Sequence, residues 1–166
     1  MNKFDLKLFL VNFSVVFLIF LIDRISKFYI IKLATLEKNF EVYVTSYLNL
    51  YLVWNKGIAF GLLNFEQKEV YNFITGIIAM ISLAVLFMII KTKDIRVYFL
   101  SFIFAGAIGN LFDRLYYTAV PDFIDLHVNN FHWFIFNVAD IFISFGVICL
   151  ILVELIFDKY LVDENK

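Results

Sequence analysis

Four long apolar runs dominate the chain, separated by two extended mixed segments and one short basic one. Crossing about 30 Å of hydrocarbon takes roughly 20 helical residues. The runs that reach this length extend from about Leu6 to Ile25, Val70 to Ile90, Val97 to Leu115 and Phe136 to Phe157. The second contains no charged residue. The third ends on Asp113 and Arg114, and the fourth carries Asn137 and Asp140 near its start and Glu154 near its end. Within the first, the apolar core Leu8 to Ile22 is followed by Asp23-Arg24-Ile25-Ser26-Lys27 and by no small-x-small cleavage site. The pattern therefore predicts a retained helix and not a removed leader.

Residues 28–69 do not follow a helical pattern. Phe40 to Val53 is rich in Val, Tyr, Thr and Leu, which favours strands. Residues 116–135 hold the one proline, Pro121, and Val120, Asp122, Ile124 and Leu126 alternate there as in a short extended piece. The expected fold class is an all-α membrane protein, with residues 1–166 forming one integral membrane domain. It has four transmembrane helices, a small extracytoplasmic β-sheet and a short outer loop or helix. Lys and Arg in short loops set the orientation. Lys91, Lys93 and Arg96 lie between the second and third helices, Lys3 and Lys7 before the first, and Lys159 and Lys166 after the fourth. Four crossings place all of these on one side, expected to be cytoplasmic, with both termini inside. Lys32, Lys38, Lys56 and Lys68 on the other side weaken this asymmetry without reversing it.

Composition points the same way. Hydrophobic residues make up 63% of the chain and phenylalanine alone occurs 22 times, against about 45–50% apolar residues in soluble domains. A soluble fold of this size leaves too much surface in water to hide that load. The net charge of −1 provides no basic footprint, so no nucleic-acid partner is expected. Cys149 is the only cysteine and lies inside an apolar run, where it reads as a small buried hydrophobe.

Ionisable groups within membrane spans are costly and mark function or buried pairs. Asp23, Lys27, Asp113, Arg114, Asp122, Asp125 and Asp140 all fall toward one membrane level. Glu154 lies about 21 Å along the helix from Asp140 and is expected to be solvated or interfacial. Several carboxylates at one level permit a pair that shares a proton. One member then acts as base toward water while the other polarises a carbonyl. Other catalytic sets are absent: the sequence has no H-E-x-x-H, no G-x-S-x-G and no phosphate-binding glycine loop. His127 and His132 read as interfacial or loop residues. No metal and no cofactor is expected.

Four segments stand out in order: Asp23-Arg24-Ile25-Ser26-Lys27, Asn55-Lys56-Gly57-Ile58-Ala59-Phe60-Gly61, Gly106-Ala107-Ile108-Gly109-Asn110-Leu111-Phe112-Asp113-Arg114, and Val120-Pro121-Asp122-Phe123 followed by Phe136-Asn137-Val138-Ala139-Asp140. They match D-x-x-[ST]-K, N-x-G-x-A-[FW]-G, G-A-x-G-N-x-x-D-R, V-x-D-F and F-N-x-A-D. In this order the chain closely resembles the bacterial lipoprotein signal peptidases, or signal peptidase II family, over nearly its whole length. The resemblance implies an intramembrane aspartic endopeptidase of the bacterial cytoplasmic membrane, working toward its outer face. Its substrates would be diacylglyceryl-modified prolipoproteins, cut just before the lipidated cysteine. The family's catalytic aspartates fall on Asp122 and Asp140. One departure is mild: many members carry two glycines where this chain has Ala105-Gly106, and a small residue is kept.

Asp23, Lys27, Asn55, Gly57, Asn110, Asp113, Arg114 and Asn137 are the candidate substrate-binding or supporting residues. Asn110 and Arg114 share one face of the third helix, and Asn137 and Asp140 share one face of the fourth. For Asp23 and Lys27 a plain i,i+4 ion pair is an equal alternative. Asp140 could also serve only as a helix N-terminal anion. Asp113, beside Arg114, reads most simply as a structural ion pair or hydrogen-bonding group. Asp122 and Asp125 lie an odd number of residues apart, so in a strand only one faces the site. Ala105, Gly106, Ala107 and Gly109 read as helix packing. The expected assembly is a monomer in contact with membrane lipid. A small transporter or a non-catalytic scaffold are the competing classes. A transporter predicts polar groups at the membrane midplane and an internal repeat, neither of which the pattern shows.

Overall fold

The computed structural model describes residues 3–37, 40–57, 68–129 and 131–163. Four helices, α1 (Lys3–Leu36), α2 (Lys68–Lys91), α3 (Arg96–Tyr117) and α4 (Val138–Asp163), accompany four strands, β1 (Glu41–Thr45), β2 (Leu48–Asn55), β3 (Val120–Val128) and β4 (Phe131–Phe136). Helices are the solution that a continuous apolar run finds in lipid, because every backbone group must be satisfied within the segment. Among the described residues α1, α2 and α4 are each long and apolar enough to cross a membrane. Phe9, Phe13, Phe17, Phe73, Phe87, Ile151 and many other large apolar side chains on these helices are exposed. Such surface is stable against acyl chains and not against water. α3 carries Asp113 and Arg114 and is the central helix, packing against the other three.

Close approach at α3 depends on small residues. A Cβ on Gly106 would lie 2.4 Å from the carbonyl oxygen of Ala139 and 2.7 Å from Ile143 Cγ1. On α4, a Cβ on Gly146 would lie 2.7 Å from the carbonyl oxygen of Phe99. The α3–α4 seam is thus backbone against backbone at both positions. α3 ends where Thr118 takes up a left-handed conformation, with φ of 57°, which turns the chain into β3.

The strands form one antiparallel sheet in the order β1-β2-β3-β4. The strand-rich stretch Phe40 to Val53 becomes the β1–β2 hairpin. In the segment 116–135 the extended piece expected over Val120 to Leu126 is β3, and in place of a short outer loop or helix the segment ends α3 and forms the β3–β4 hairpin, turning at Asn129, whose φ is 53°. Asn tolerates this left-handed region because its short polar side chain can bond locally. β3 pairs with β2 through Val53↔Asp122 and Asn55↔Val120, and with β4 through His127↔His132. The apolar run of β4 reads in sequence as the start of the fourth helix, but the helix begins at Val138, past Asn137.

A second difference lies in α1. The pattern places its end near Ile25, whereas the helix continues to Leu36. Its 34 residues make a rod about 51 Å long, well beyond the hydrocarbon thickness. The extension has a packing reason. Ile30, Leu33 and Ala34, at i, i+3 and i+4, pack with Phe40, Leu50, Leu52, Phe123, Ile124 and Val138. That cluster fixes the sheet to the end of the bundle. Of the sequence motifs, Ile58, Ala59, Phe60 and Gly61 lie outside the described residues, as does Lys166.

Glycine substitutions test the seam. Gly106→Ala is expected to cost about 1–3 kcal/mol, the usual penalty for overpacking, and to lower the midpoint of thermal unfolding in detergent. Gly76→Ala, where nothing lies within 4 Å of the added Cβ, is expected to leave that midpoint unchanged or raise it.

Candidate active site

The polar residues of the helices meet at the sheet end of the bundle. On α1, Asp23 and Lys27 are almost entirely buried, and Arg24 is largely so. Asp23 accepts from Arg24 Nη2 at 2.5 Å and from the backbone N–H of Ala139 at 3.0 Å, and Lys27 Nζ lies 3.0 Å from its Oδ1. Asp113 on α3 accepts from both terminal nitrogens of Arg24 and from Lys27 Nζ at 2.6 Å. Two cations and two carboxylates leave the cluster with no net charge. Removing one partner of a buried pair is what costs most.

The i,i+4 pair Asp23–Lys27 therefore forms, as one edge of a larger cluster joining α1, α3 and α4. Asp113 is an ion-pair residue, but its partners are Arg24 and Lys27 and not its neighbour Arg114. Adjacent residues on a helix do not face each other. Arg24 is the residue the sequence left out. It also donates to the carbonyl of Gly109 at 3.1 Å and lies over the rings of Phe20 and Phe112, 5.5 and 4.8 Å from their centroids. The signal was its position: an arginine inside an apolar run has to find partners. Gly109 needs its bare Cα here, since a Cβ would lie 2.8 Å from Asp23 Oδ2.

The cluster continues through amides. Asn110 accepts from Lys27 Nζ at 2.9 Å and donates to Asp140 Oδ1 at 2.8 Å. Asn137 caps α4: its Oδ1 accepts from the backbone N–H of Asp140 at 3.3 Å, while Asp140 Oδ2 accepts from the backbone N–H of Asn137 at 3.2 Å. This is a reciprocal capping box with Asn and Asp in place of the usual Ser and Glu. The remaining Asn137 donor, Nδ2, reaches across to Asp122 Oδ1 at 2.6 Å. On β2, Asn55 Nδ2 donates to Asp122 Oδ2 at 2.9 Å, and Asn55 Oδ1 accepts from the N–H of Gly57 at 2.8 Å. Arg114 donates to the carbonyl of Gly57, its guanidinium lies 5.5 Å from the centroid of the Tyr71 ring, and its carbonyl accepts from the Tyr71 hydroxyl at 3.2 Å.

Asp23, Lys27, Asn55, Gly57, Asn110, Asp113, Arg114, Asp122, Asn137 and Asp140 are thus brought together in one continuous run of hydrogen bonds and ion pairs. Asp125 is not part of it: its carboxylate faces His127 and His132. Glu154 is exposed at the opposite end, 2.9 Å from Arg96 Nη1. Asp122 and Asp140 share a cavity of about 240 Å³ with Asn55, Asn110 and Arg114, and its remaining wall is largely apolar, with Ile78, Ile81, Ile103 and Ile143. The buried Nη1 of Arg114 has no hydrogen-bond partner among the described residues. A larger crevice of about 430 Å³ runs between α1, α2 and α3 and holds none of these carboxylates.

Burial, and then the charge of Asp140, push the Asp122 carboxyl from its ordinary 3.8 up to about 7, against the opposing pull of the Asn137 and Asn55 amides and of Lys27. A carboxyl held neutral near pH 7 beside a second carboxyl can donate a proton while its neighbour accepts one.

The family model described as Signal peptidase (SPase) II matches residues 15–157. A lipoprotein signal peptidase of Pelagibacter ubique (strain HTCC1062) is 52% identical over 166 residues, covering 100% of both chains. One from Anaplasma phagocytophilum (strain HZ) is 41% identical over 148 residues, covering 88% of this chain and 92% of its own. Among solved structures, a bacterial membrane enzyme determined in meso at 2.3 Å resolution superposes with a TM-score of 0.75 at 29% identity, covering 90% of this chain and 89% of its own.

The charge cluster is tested by removing one member. Lys27→Met leaves two buried carboxylates facing Arg24 alone. It is expected to cost about 3–5 kcal/mol, read as a lower thermal midpoint and reduced yield of folded protein from membranes.

Proposed function

The chain belongs to the signal peptidase II family, and from that premise we propose that Asp122 and Asp140 are its catalytic pair. The chain is a membrane aspartic peptidase that removes signal peptides from prolipoproteins. The cut falls just before the cysteine that carries the diacylglyceryl group. The observation that carries the assignment of the pair is Asn137. One side chain holds Asp122 by its amide and Asp140 by a reciprocal cap. Two carboxylates from different elements, β3 and α4, are thereby aimed into one cavity.

With one proton between them, the pair hydrolyses a peptide bond without further groups. The ionised aspartate takes a proton from a water, and the oxygen of that water attacks the scissile carbonyl carbon. The protonated aspartate gives its proton to the carbonyl oxygen as it becomes tetrahedral. Collapse of the intermediate breaks the C–N bond, and a proton passes to the leaving amine. The dyad titrates as a coupled unit. Asn55, Asn110 and Asn137 orient the carboxyl oxygens, and the free Nη1 of Arg114 is suited to a substrate carbonyl. Charge balance in the Asp23–Arg24–Lys27–Asp113 cluster keeps α1, α3 and α4 in register beneath the site.

The apolar wall formed by Ile78, Ile81, Ile103 and Ile143 receives the substrate's signal helix from the side, out of the bilayer, while the diacylglyceryl chains stay in lipid. The basic residues at the end of the bundle opposite the sheet, Lys91, Lys93 and Arg96, place that end in the cytoplasm with both termini, by the positive-inside rule. The sheet and the dyad then face outward from the bacterial cytoplasmic membrane. The enzyme works as a monomer, since Asp122, Asp140 and the amides that orient them lie on one chain.

Two measurements test this. Asp122→Asn and Asp140→Asn are each expected to lower kcat/KM on a diacylglyceryl-modified prolipoprotein by about 10²–10⁴-fold or more, with thermal midpoints near wild type. Activity surviving in either folded variant assigns the chemistry elsewhere. The pH profile has a defined sign. The Asp122 carboxyl titrates at about 7 in the folded protein against an ordinary 3.8, so the stability it contributes is full below about pH 4 and is lost as pH rises through about 7. Activity is expected to decline over the same upper limb, as the shared proton leaves. A kcat/KM profile flat through pH 7 contradicts the shared-proton role.

A further inference from the structure

β3 carries a second constellation that the dyad does not use. Asp125 and His127 are two residues apart on this strand and project from one face. His132 on β4 is the cross-strand partner of His127, and side chains of directly opposed residues lie side by side. The pairing shifts between Leu126 and His127, and this irregularity brings the His132 ring over Asp125. His132 Nδ1 lies 2.8 Å from Asp125 Oδ2, and His127 Nδ1 lies 3.4 Å from the same oxygen. One ligand atom from each residue falls within 4.8 Å of the others. The imidazole centroids are 5.2 Å apart.

Two features separate this group from a simple hydrogen-bonded pair. The Asp125 side chain is fully buried and the His127 side chain is 10% exposed, yet His127 Nδ1 has no hydrogen-bond partner among the described residues. A buried polar atom left unmatched costs about 1–3 kcal/mol. It is also aimed at a carboxylate from a distance too long for a good hydrogen bond. That distance does suit donors around one metal: two atoms each about 2.0–2.1 Å from a tetrahedral Zn²⁺ lie about 3.3 Å apart. The His132 side chain is half exposed and provides an open side from solvent.

We propose that Asp125, His127 and His132 form a binding site for a divalent transition-metal ion of the Zn²⁺ type. Two imidazole nitrogens and one carboxylate oxygen are the donor set such ions prefer, whereas Ca²⁺ and Mg²⁺ take all-oxygen sets. Water fills the fourth position. The site is separate from the dyad cavity, whose lining includes none of the three residues. Its consequence is mechanical. The ion ties β4 to β3, the strand that carries Asp122, and so stiffens the hairpin.

The test uses the full-length protein, purified in detergent without a histidine tag and freed of metal by chelator. Co²⁺ and Zn²⁺ are the probes, followed by the visible absorption of bound Co²⁺, by its displacement with Zn²⁺ and by thermal unfolding. The wild type is expected to bind one equivalent of either ion and to gain thermal stability. His132→Ala, on the exposed side, is expected to bind at least tenfold more weakly and to lose the metal-induced shift, measured against its own metal-free midpoint, which falls with the lost bond to Asp125. His127→Ala gives a second variant with the same expected loss. Absence of stoichiometric binding by the wild type overturns the proposal. So does binding that persists undiminished in both variants, which would place the ion on unrelated surface carboxylates or on Cys149.

Discussion

The amide of Asn137 is where the two halves of the structure are fastened together. Its Nδ2 grips Asp122 on the sheet, and its Oδ1 and backbone N–H lock Asp140 into the first turn of α4. A buried carboxylate without donors is expensive, and here two lie close together. Every oxygen of the pair has a donor: Asn55 and Asn137 on Asp122, Asn110 and the Asn137 backbone on Asp140. The donors are neutral amides and a backbone N–H. They hold position without supplying the positive charge that would strip the pair of its shared proton. Lys27 is one residue removed, hydrogen-bonded to Asn110, which in turn donates to Asp140.

Helix packing serves the same end. The ion-pair cluster of Asp23, Arg24, Lys27 and Asp113 sits directly behind Asn110, and Asp23 also takes the backbone N–H of Ala139 beside Asp140. α1, α3 and α4 therefore cannot slide past one another without breaking charged contacts in a medium that offers no replacement. Gly106 and Gly109 let the backbones come close enough for these bonds to form. Beyond the cluster α1 runs on as a post, and Ile30 with Leu33 and Ala34 carries the sheet that presents Asp122.

Much of this was legible in the chain. The four apolar runs correspond to four helices because lipid leaves a long apolar segment little other choice. The candidate residues, spread from Asp23 to Asp140, converge because buried polar groups in such a protein must find each other. The parts that were not legible depend on tertiary contacts. The extension of α1 past Ile25 exists because the sheet covers Ile30, Leu33 and Ala34, whose spacing is helical although the flanking residues are not distinctive. β4, reading Phe-His-Trp-Phe-Ile-Phe, merges in hydropathy with the helix after it, and only the cap at Asn137 divides the two. The meeting of Asp125, His127 and His132 follows from a register shift between β3 and β4, and strand register is invisible to a motif search.

Infrared difference spectroscopy of the detergent-solubilised enzyme, titrated through neutral pH, addresses the shared proton directly. The account predicts a protonated-carboxyl band that persists well above the ordinary carboxylate range, disappears with a midpoint of about 7 and is absent from Asp122→Asn. A spectrum with no such band, or a band that survives unchanged in Asp122→Asn, would contradict the assignment of that proton to the Asp122–Asp140 pair.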